Sequence, residues 1–170
     1  IGFKSFFDKT TFLIQDGLTG IVGPNGCGKS NIVEALRWCM GENSAKSMRG
    51  TGMEDVIFSG TSNKPSKNIS EVSLLLDNKN KEGPAQYKEF DEVSIKRKIE
   101  KDKGSKYYIN DKEVRARDVQ TLFADLSTGA HSPSLISQGK IGQLVTSKPI
   151  ERKSILEEAA GISGIHARRQ

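Results

Sequence analysis

An α/β fold is the class this sequence predicts, and three observations carry the prediction. A short apolar run, Leu18 to Val22, leads into a glycine-rich loop and then into a segment where Ile32, Val33, Leu36 and Met40 recur at helical spacing. Val72 to Leu76 reads as a strand, and apolar and polar residues alternate through Val93, Ile95 and Ile99, the pattern of a half-buried strand. Helical periodicity returns at Val119, Leu122, Phe123 and Leu126, and once more from Ser147 onward.

Taken in order, Phe3, Phe6, Phe7, Phe12, Leu13 and Ile14 flank the polar turn Asp8-Lys9-Thr10. The spacing predicts a β-hairpin feeding a strand over Leu18 to Val22. The loop that follows reads Gly23-Pro24-Asn25-Gly26-Cys27-Gly28-Lys29-Ser30, in which Gly23, Gly28, Lys29 and Ser30 satisfy G-x-x-x-x-G-K-[ST], the phosphate-binding loop of nucleotide hydrolases. The chemistry needs those residue types. Glycines let the backbone turn its N–H groups inward around an anion, and the helix opening at Asn31 adds the positive end of its dipole. Lys29 reaches the β- and γ-phosphates, and the Ser30 hydroxyl is placed to ligate Mg²⁺. Without that chemistry, the same stretch is a glycine-rich turn that binds nothing.

Gly41 is placed to stop the helix near Met40. Ser44 to Gly52 is a basic loop of small residues, which by itself reads as a solvated connection. Asp77 after Val72 to Leu76 imitates a Walker B acid, but Asn78-Lys79-Asn80-Lys81 follows and reads as a turn. Those four residues also fail the base-reading N-K-x-D of GTPases, and no D-x-x-G occurs in the chain.

Asn78 to Lys106 carries nine Lys or Arg against six Asp or Glu. With Tyr107-Tyr108-Ile109 after the Lys103-Gly104-Ser105 turn, it predicts a second hairpin with one face on the core and a basic face outward. Arg97, Lys98, Lys101, Lys103 and Lys106 would then either touch a phosphate backbone or simply keep an edge strand soluble. Asn110-Asp111-Lys112 is a further turn, followed by a short amphipathic helix.

Leu126-Ser127-Thr128-Gly129 imitates an L-S-G-G signature but lacks the second glycine and precedes Leu135-Ile136-Ser137-Gln138-Gly139-Lys140. The latter delivers Gln138 at a strand-to-loop junction, where ABC-type ATPases place a glutamine whose amide oxygen ligates Mg²⁺ and senses the attacking water. Ser147 and Pro149 open the last helix, which runs to Gln170 without a stop signal. His131 and His166 have no partner that the sequence identifies and read as structural or solvated.

Composition sets the outer limits. At 170 residues the chain is one domain with a real core, 35% hydrophobic and 28% charged. No apolar run approaches the roughly 20 residues of a membrane span. The start at Ile1 lacks an initiator Met and a signal-peptide layout, so part of a first strand is expected to precede it. Cys27 and Cys39 are too few for a disulfide scaffold and suit a reducing cytosol. A formal charge of +5 is compatible with nucleic acid.

Together, Gly23 to Ser30, Lys46-Ser47-Met48-Arg49-Gly50, Met53 to Gly60, Ile136 to Lys140, Ser147-Lys148-Pro149 and Glu157 to Ile162 resemble the N-terminal half-head of an SMC (structural maintenance of chromosomes) protein, in the bacterial homodimeric style. The resemblance runs collinearly through nearly the whole chain. Pro133 departs from it, standing where the family often has an aromatic.

What the resemblance implies is a P-loop NTPase of the ABC type: the N-terminal lobe of an ATPase head with β-hairpins over residues 1–150, and the start of a coiled-coil arm over 151–170. It implies ATP and Mg²⁺ as ligands. Gly23, Pro24, Asn25, Gly26, Cys27, Gly28, Lys29, Ser30 and Asn31 would bind the nucleotide, with Ser30 and Gln138 on the metal. Arg49 matches the family arginine proposed to reach the nucleotide phosphates. It would thus act with Lys29 and Gln138 in turnover, because a planar guanidinium stabilises phosphoryl charge better than an ammonium.

A long coiled coil would return with a C-terminal half carrying the signature, the Mg²⁺-supporting Asp and the catalytic Glu. The residues present supply none of these, so this chain alone is expected to bind ATP weakly without hydrolysing it. The implied partners are sequence-independent DNA, a second head in a homodimer that sandwiches ATP, and kleisin-type accessory subunits, with no membrane. The implied setting is the cytoplasmic nucleoid, and the task is chromosome condensation and segregation.

Alternatives are a DNA-repair ATPase of the same head class, a scaffold with a vestigial loop, and the nucleotide-binding domain of an ABC transporter. The last would place its Gln much closer than the 109 residues separating Lys29 from Gln138.

Overall fold

The computed structural model describes residues 1–15, 17–81, 83–126, 149 and 153. Its regular elements are α1 (Lys29–Cys39), β1 (Ile69–Asp77), β2 (Glu92–Glu100), β3 (Gly104–Ile109), β4 (Lys112–Val114) and α2 (Ala116–Asp125), with single 3-10 turns at Lys46–Met48, Met53–Val56 and Ala85–Tyr87. The four strands form an antiparallel meander in sequence order.

Period-two alternation places the core. Val93, Ile95, Arg97 and Ile99 of β2 are buried and face Leu76, Leu74, Val72 and Ser70 across the β1 ladder. On the other side Ile95 and Arg97 stand opposite Ile109 and Tyr107 of β3. One apolar cluster joins this face to Cys39 of α1 and to Val119, Leu122 and Phe123 of α2. A second gathers Phe3, Trp38, Met48, Val56, Ile57 and Ile99 beneath the N-terminal segment.

The turns form where their chemistry allows. Asn110 and Asp111 take φ of 46° and 62° in the two-residue β3–β4 loop, a conformation these residue types tolerate. The Asn110 carboxamide accepts from the Ser94 N–H at 2.8 Å. The turn after Asp77 is bonded through Asn78, whose amide nitrogen donates to the Tyr87 and Phe90 carbonyls at 2.9 Å each. Asp77 itself accepts from the Lys79 N–H at 2.9 Å on an exposed corner, as a turn residue does. Helix α1 stops at Gly41, with φ of 103°, where a Cβ would lie 2.7 Å from the Gln120 side chain of α2.

Two expectations are overturned. The hairpin over Phe3 to Ile14 reduces to isolated bridges, Phe3 to Phe6 and Phe3 to Ile57. The strand over Leu18 to Val22 does not form either: Leu13, Leu18 and Val22 are 79%, 101% and 94% exposed. Among the described residues no neighbouring strand offers hydrogen bonds to this stretch, and an unpaired apolar strand has nothing to hold it.

Arg97 is a third correction. It is only 2% exposed and points into the core, not outward to a phosphate backbone. Its guanidinium lies 4.5 Å and 4.6 Å from the Trp38 and Tyr107 rings and donates to the carbonyls of Trp38 at 2.7 Å and Glu42 at 2.6 Å. Burial pulls its pKa below the ordinary value.

Candidate functional site

The glycine-rich loop sits on the exposed N-terminus of α1. Gly26 and Gly28 hold φ of 81° and 94°, which turn the chain so that Gly28 caps the helix without a side-chain bond. A side chain at Gly28 would be strained by this φ, and its Cβ would meet the Ser5 hydroxyl at 2.4 Å. Asn25 and Gly26 form a turn, and the amides of Gly26, Gly28, Lys29 and Ser30 donate to no acceptor among the described residues. Free N–H groups at a helix N-terminus suit an anion.

Lys29 lies within this loop. Its ammonium donates to the carbonyls of Gly23 and Pro24, each at 2.6 Å, and lies 3.9 Å from the Cys27 sulfur. The charge is thus held between the two limbs of the loop. Ser30 is exposed and beside it. Among the described residues no group of three or more His, Cys, Asp or Glu is arranged to hold a metal. A magnesium shared with phosphate needs no such cluster, because one hydroxyl and the phosphate oxygens provide hard ligands. The donor set therefore fits a polyphosphate with its cation. Gln138 lies outside the described residues, as do Leu126's continuation into Ser127-Thr128-Gly129 and most of the segment from Ser147.

Residues to which the sequence reading gave no role, Lys4, Ser5, Glu34 and Asp55, join Asn31 and Arg49 around the loop. Asn31 donates to the Ser5 hydroxyl at 2.9 Å and accepts from an Arg49 terminal nitrogen at 2.9 Å. The Arg49 Nε pairs with Glu34, and Lys4 pairs with the other oxygen of the same carboxylate. Arg49 therefore lies against the first turn of α1, within one residue of Ser30. Downstream, the Asp55 carboxylate accepts from the N–H groups of Gly52 at 2.9 Å and Thr51 at 2.6 Å, and from the Thr51 hydroxyl at 2.9 Å. These bonds hold its pKa below the usual carboxylate value and fix the loop carrying Arg49. Glu34 and Asp55 left a faint trace in the sequence: an acid inside an apolar helix, and an acid three residues after a glycine.

The lysines of the β2–β3 hairpin are mostly paired. Lys96 meets Asp111 at 3.1 Å, Lys103 meets Glu100 at 2.6 Å and Lys106 meets Glu113 at 3.0 Å. The hydrogen bonds to Asp111 and Glu113 raise the pKa of Lys96 and Lys106. The basic surface is thereby less positive than a count of lysines suggests.

Residues 1–140 match the family model described as RecF/RecN/SMC N terminal domain. The chromosome partition protein Smc of Cereibacter sphaeroides is 59% identical over 168 residues, which is 99% of this chain and 15% of that protein. The Smc of Myxococcus xanthus is 48% identical, again over 99% of this chain and 14% of its own length. The chain thus spans about one seventh of these relatives.

Among solved structures, the Smc head domain of Pyrococcus furiosus, bound to the C-terminal domain of ScpA, aligns with a TM-score of 0.86 at 30% identity over 98% of this chain and 42% of that one. A structure reported for ATP-driven dimerization and DNA-stimulated activation of SMC ATPases aligns at 0.81 and 31%, covering 93% of this chain and 94% of that one. The glycine loop on its helix, the antiparallel meander beside it and these matches lead to one conclusion: the chain belongs to the RecF/RecN/SMC N-terminal domain family and has the α/β fold of the N-terminal lobe of an SMC ATPase head.

Proposed function

We propose that this chain is the ATP-binding half of a chromosome-organising SMC ATPase. The observation that carries the reading is the glycine-rich loop at the N-terminus of α1, with unbonded amides at Gly26, Gly28, Lys29 and Ser30 and the Lys29 ammonium held on the Gly23 and Pro24 carbonyls. Gly23 to Asn31 bind the polyphosphate, Lys29 neutralises its β- and γ-oxygens, and Ser30 with Gln138 holds Mg²⁺. The cation supplies charge neutralisation to the phosphates when bound. Arg49 adds a planar cation to the same phosphates.

In this reading residues 1–150 are the half-head and 151–170 begin the coiled-coil arm. The exposed apolar stretch around Leu13, Leu18 and Val22 is the surface on which the returning C-terminal half completes the sheet. That half brings the signature and the catalytic carboxylate, so turnover belongs to the full-length protein. Two such heads close on ATP, bind DNA without sequence preference and engage a kleisin-type subunit within the nucleoid. The relatives' names and the reported ScpA-bound and ATP-dimerised heads support this assembly.

The test is a titration of ATP-Mg²⁺ into the full-length protein with and without Lys29→Ala. Loss of the ammonium is expected to weaken binding by about 100-fold, the magnitude of a lost charge-assisted contact. Unchanged affinity rejects the site.

A further inference from the structure

We propose that Glu34 is a positioning residue that holds Arg49 beside the phosphate loop, an inference that rests on the assignment of Arg49 to the nucleotide. Glu34 lies one turn beyond Ser30 on α1, with its side chain only 10% exposed. One carboxylate oxygen takes the Arg49 Nε and the other takes the Lys4 ammonium. Lys4 also donates to the Met48 carbonyl, the residue just before Arg49.

Both cations that meet on Glu34 sit in the left-handed backbone region, Lys4 at φ 46° and Arg49 at φ 55°. That conformation is unfavourable for residues that carry a Cβ and persists where surrounding bonds enforce it. Here the enforcing bond is shared. Without Glu34, two cations would face each other across the base of the loop.

The contacts close into a ring. Arg49 reaches the Asn31 carboxamide at 2.9 Å, and Asn31 reaches Ser5 at 2.9 Å. Ser5 adjoins Lys4 in the chain and stands where a side chain on Gly28 would collide with it. Glu34 binds Arg49 through Nε, the rear of the guanidinium, and one terminal nitrogen reaches Asn31, the residue after Ser30. The Arg49 side chain remains 58% exposed, so its donating edge is accessible. Two cations on one anion leave the ring with one net positive charge, of the sign a phosphate requires.

The experiment uses the full-length protein and two readouts. In the absence of nucleotide, phenylglyoxal labelling followed by peptide mass spectrometry reports the freedom of each arginine. Glu34→Gln is expected to speed labelling of Arg49 by about fivefold, the release from one partly buried ion pair. Arg97, buried in the core, stays protected and reports that the fold is intact. Unchanged Arg49 labelling with Arg97 protected overturns the proposal. If Glu34→Gln unfolds the protein, Glu34→Asp is read in the same way, since it draws the carboxylate back by one methylene, and unchanged labelling there also overturns it.

In ATP turnover, Glu34→Gln is expected to lower kcat by about 10-fold or more, the usual cost of losing a residue that orients a catalytic group. ATP affinity should move little, and adding Arg49→Ala should bring no further loss. Losses that multiply, or a fall in affinity equal to the fall in kcat, overturn the proposal. A failure of the nucleotide assignment looks different: Lys29→Ala then leaves ATP binding unchanged while the labelling readout still decides whether Glu34 holds Arg49.

Discussion

Cys39 shows what burial does to one side chain. It is fully buried at the C-terminal end of α1, and burial pushes its thiol up to about 12 from 9.0, against the opposing pull of Arg97. The folded state therefore holds the proton more tightly than the unfolded chain. That contribution is complete below pH 9 and is lost as pH rises toward about 12. At pH 10 the loss is on the order of 1 kcal/mol, since each unit between the two pKa values corresponds to about 1.4 kcal/mol. Denaturant midpoints should fall between pH 8 and 10, and Cys39→Ala should flatten that fall; an equally steep slope in the variant would refute the assignment. Residues were unevenly legible at this scale. The glycine-rich loop carrying Lys29 and Ser30 was readable because its pattern is local. Glu34 was not, because its partners Lys4 and Arg49 lie 30 and 15 residues away in the chain.

Among elements, the joint between α1 and the sheet depends on Arg97. One guanidinium gathers the Trp38 and Glu42 carbonyls, the Asn43 carboxamide at 3.2 Å and the Ser105 hydroxyl at 3.1 Å. A lysine cannot supply that fork or lie flat between Trp38 and Tyr107. Arg97→Lys is expected to destabilise the protein by about 2 kcal/mol, because carbonyls at the end of α1 lose their donor. The check is a lower urea midpoint at unchanged m-value. The alternation Val93, Ile95, Ile99 already placed position 97 on the inner face, yet its charge suggested the outside. Elements with local signals followed the sequence: α1 and its Gly41 stop, β1, the β2–β3 hairpin, the turn after it and α2; the short strand β4 was not anticipated. The Leu18 to Val22 strand did not, because a strand needs a neighbour and none of the described residues provides one.

For the whole molecule, the surface charge is patterned more evenly than the +5 total suggests. Several hairpin lysines already face carboxylates, and Arg97 is inside. Duplex DNA binding by the ATP-engaged full-length protein should therefore rest on few phosphate contacts. Its affinity should fall on the order of 10- to 100-fold between about 50 and 200 mM salt, with little dependence on sequence. Salt-insensitive binding measured by fluorescence anisotropy would remove this surface as the contact.

The sequence by itself determined the glycine-rich loop, the helix behind it, the family and the β2–β3 hairpin, since each is written in neighbouring residues whose spacing reflects local backbone geometry. Only the tertiary structure decided that Arg97 is a core cation, that Glu34 gathers Lys4 and Arg49, and that the apolar stretch before the loop is uncovered. Those outcomes depend on which distant groups meet once the chain is compact, and the free energy of a buried charge or an unpaired strand is set by that encounter.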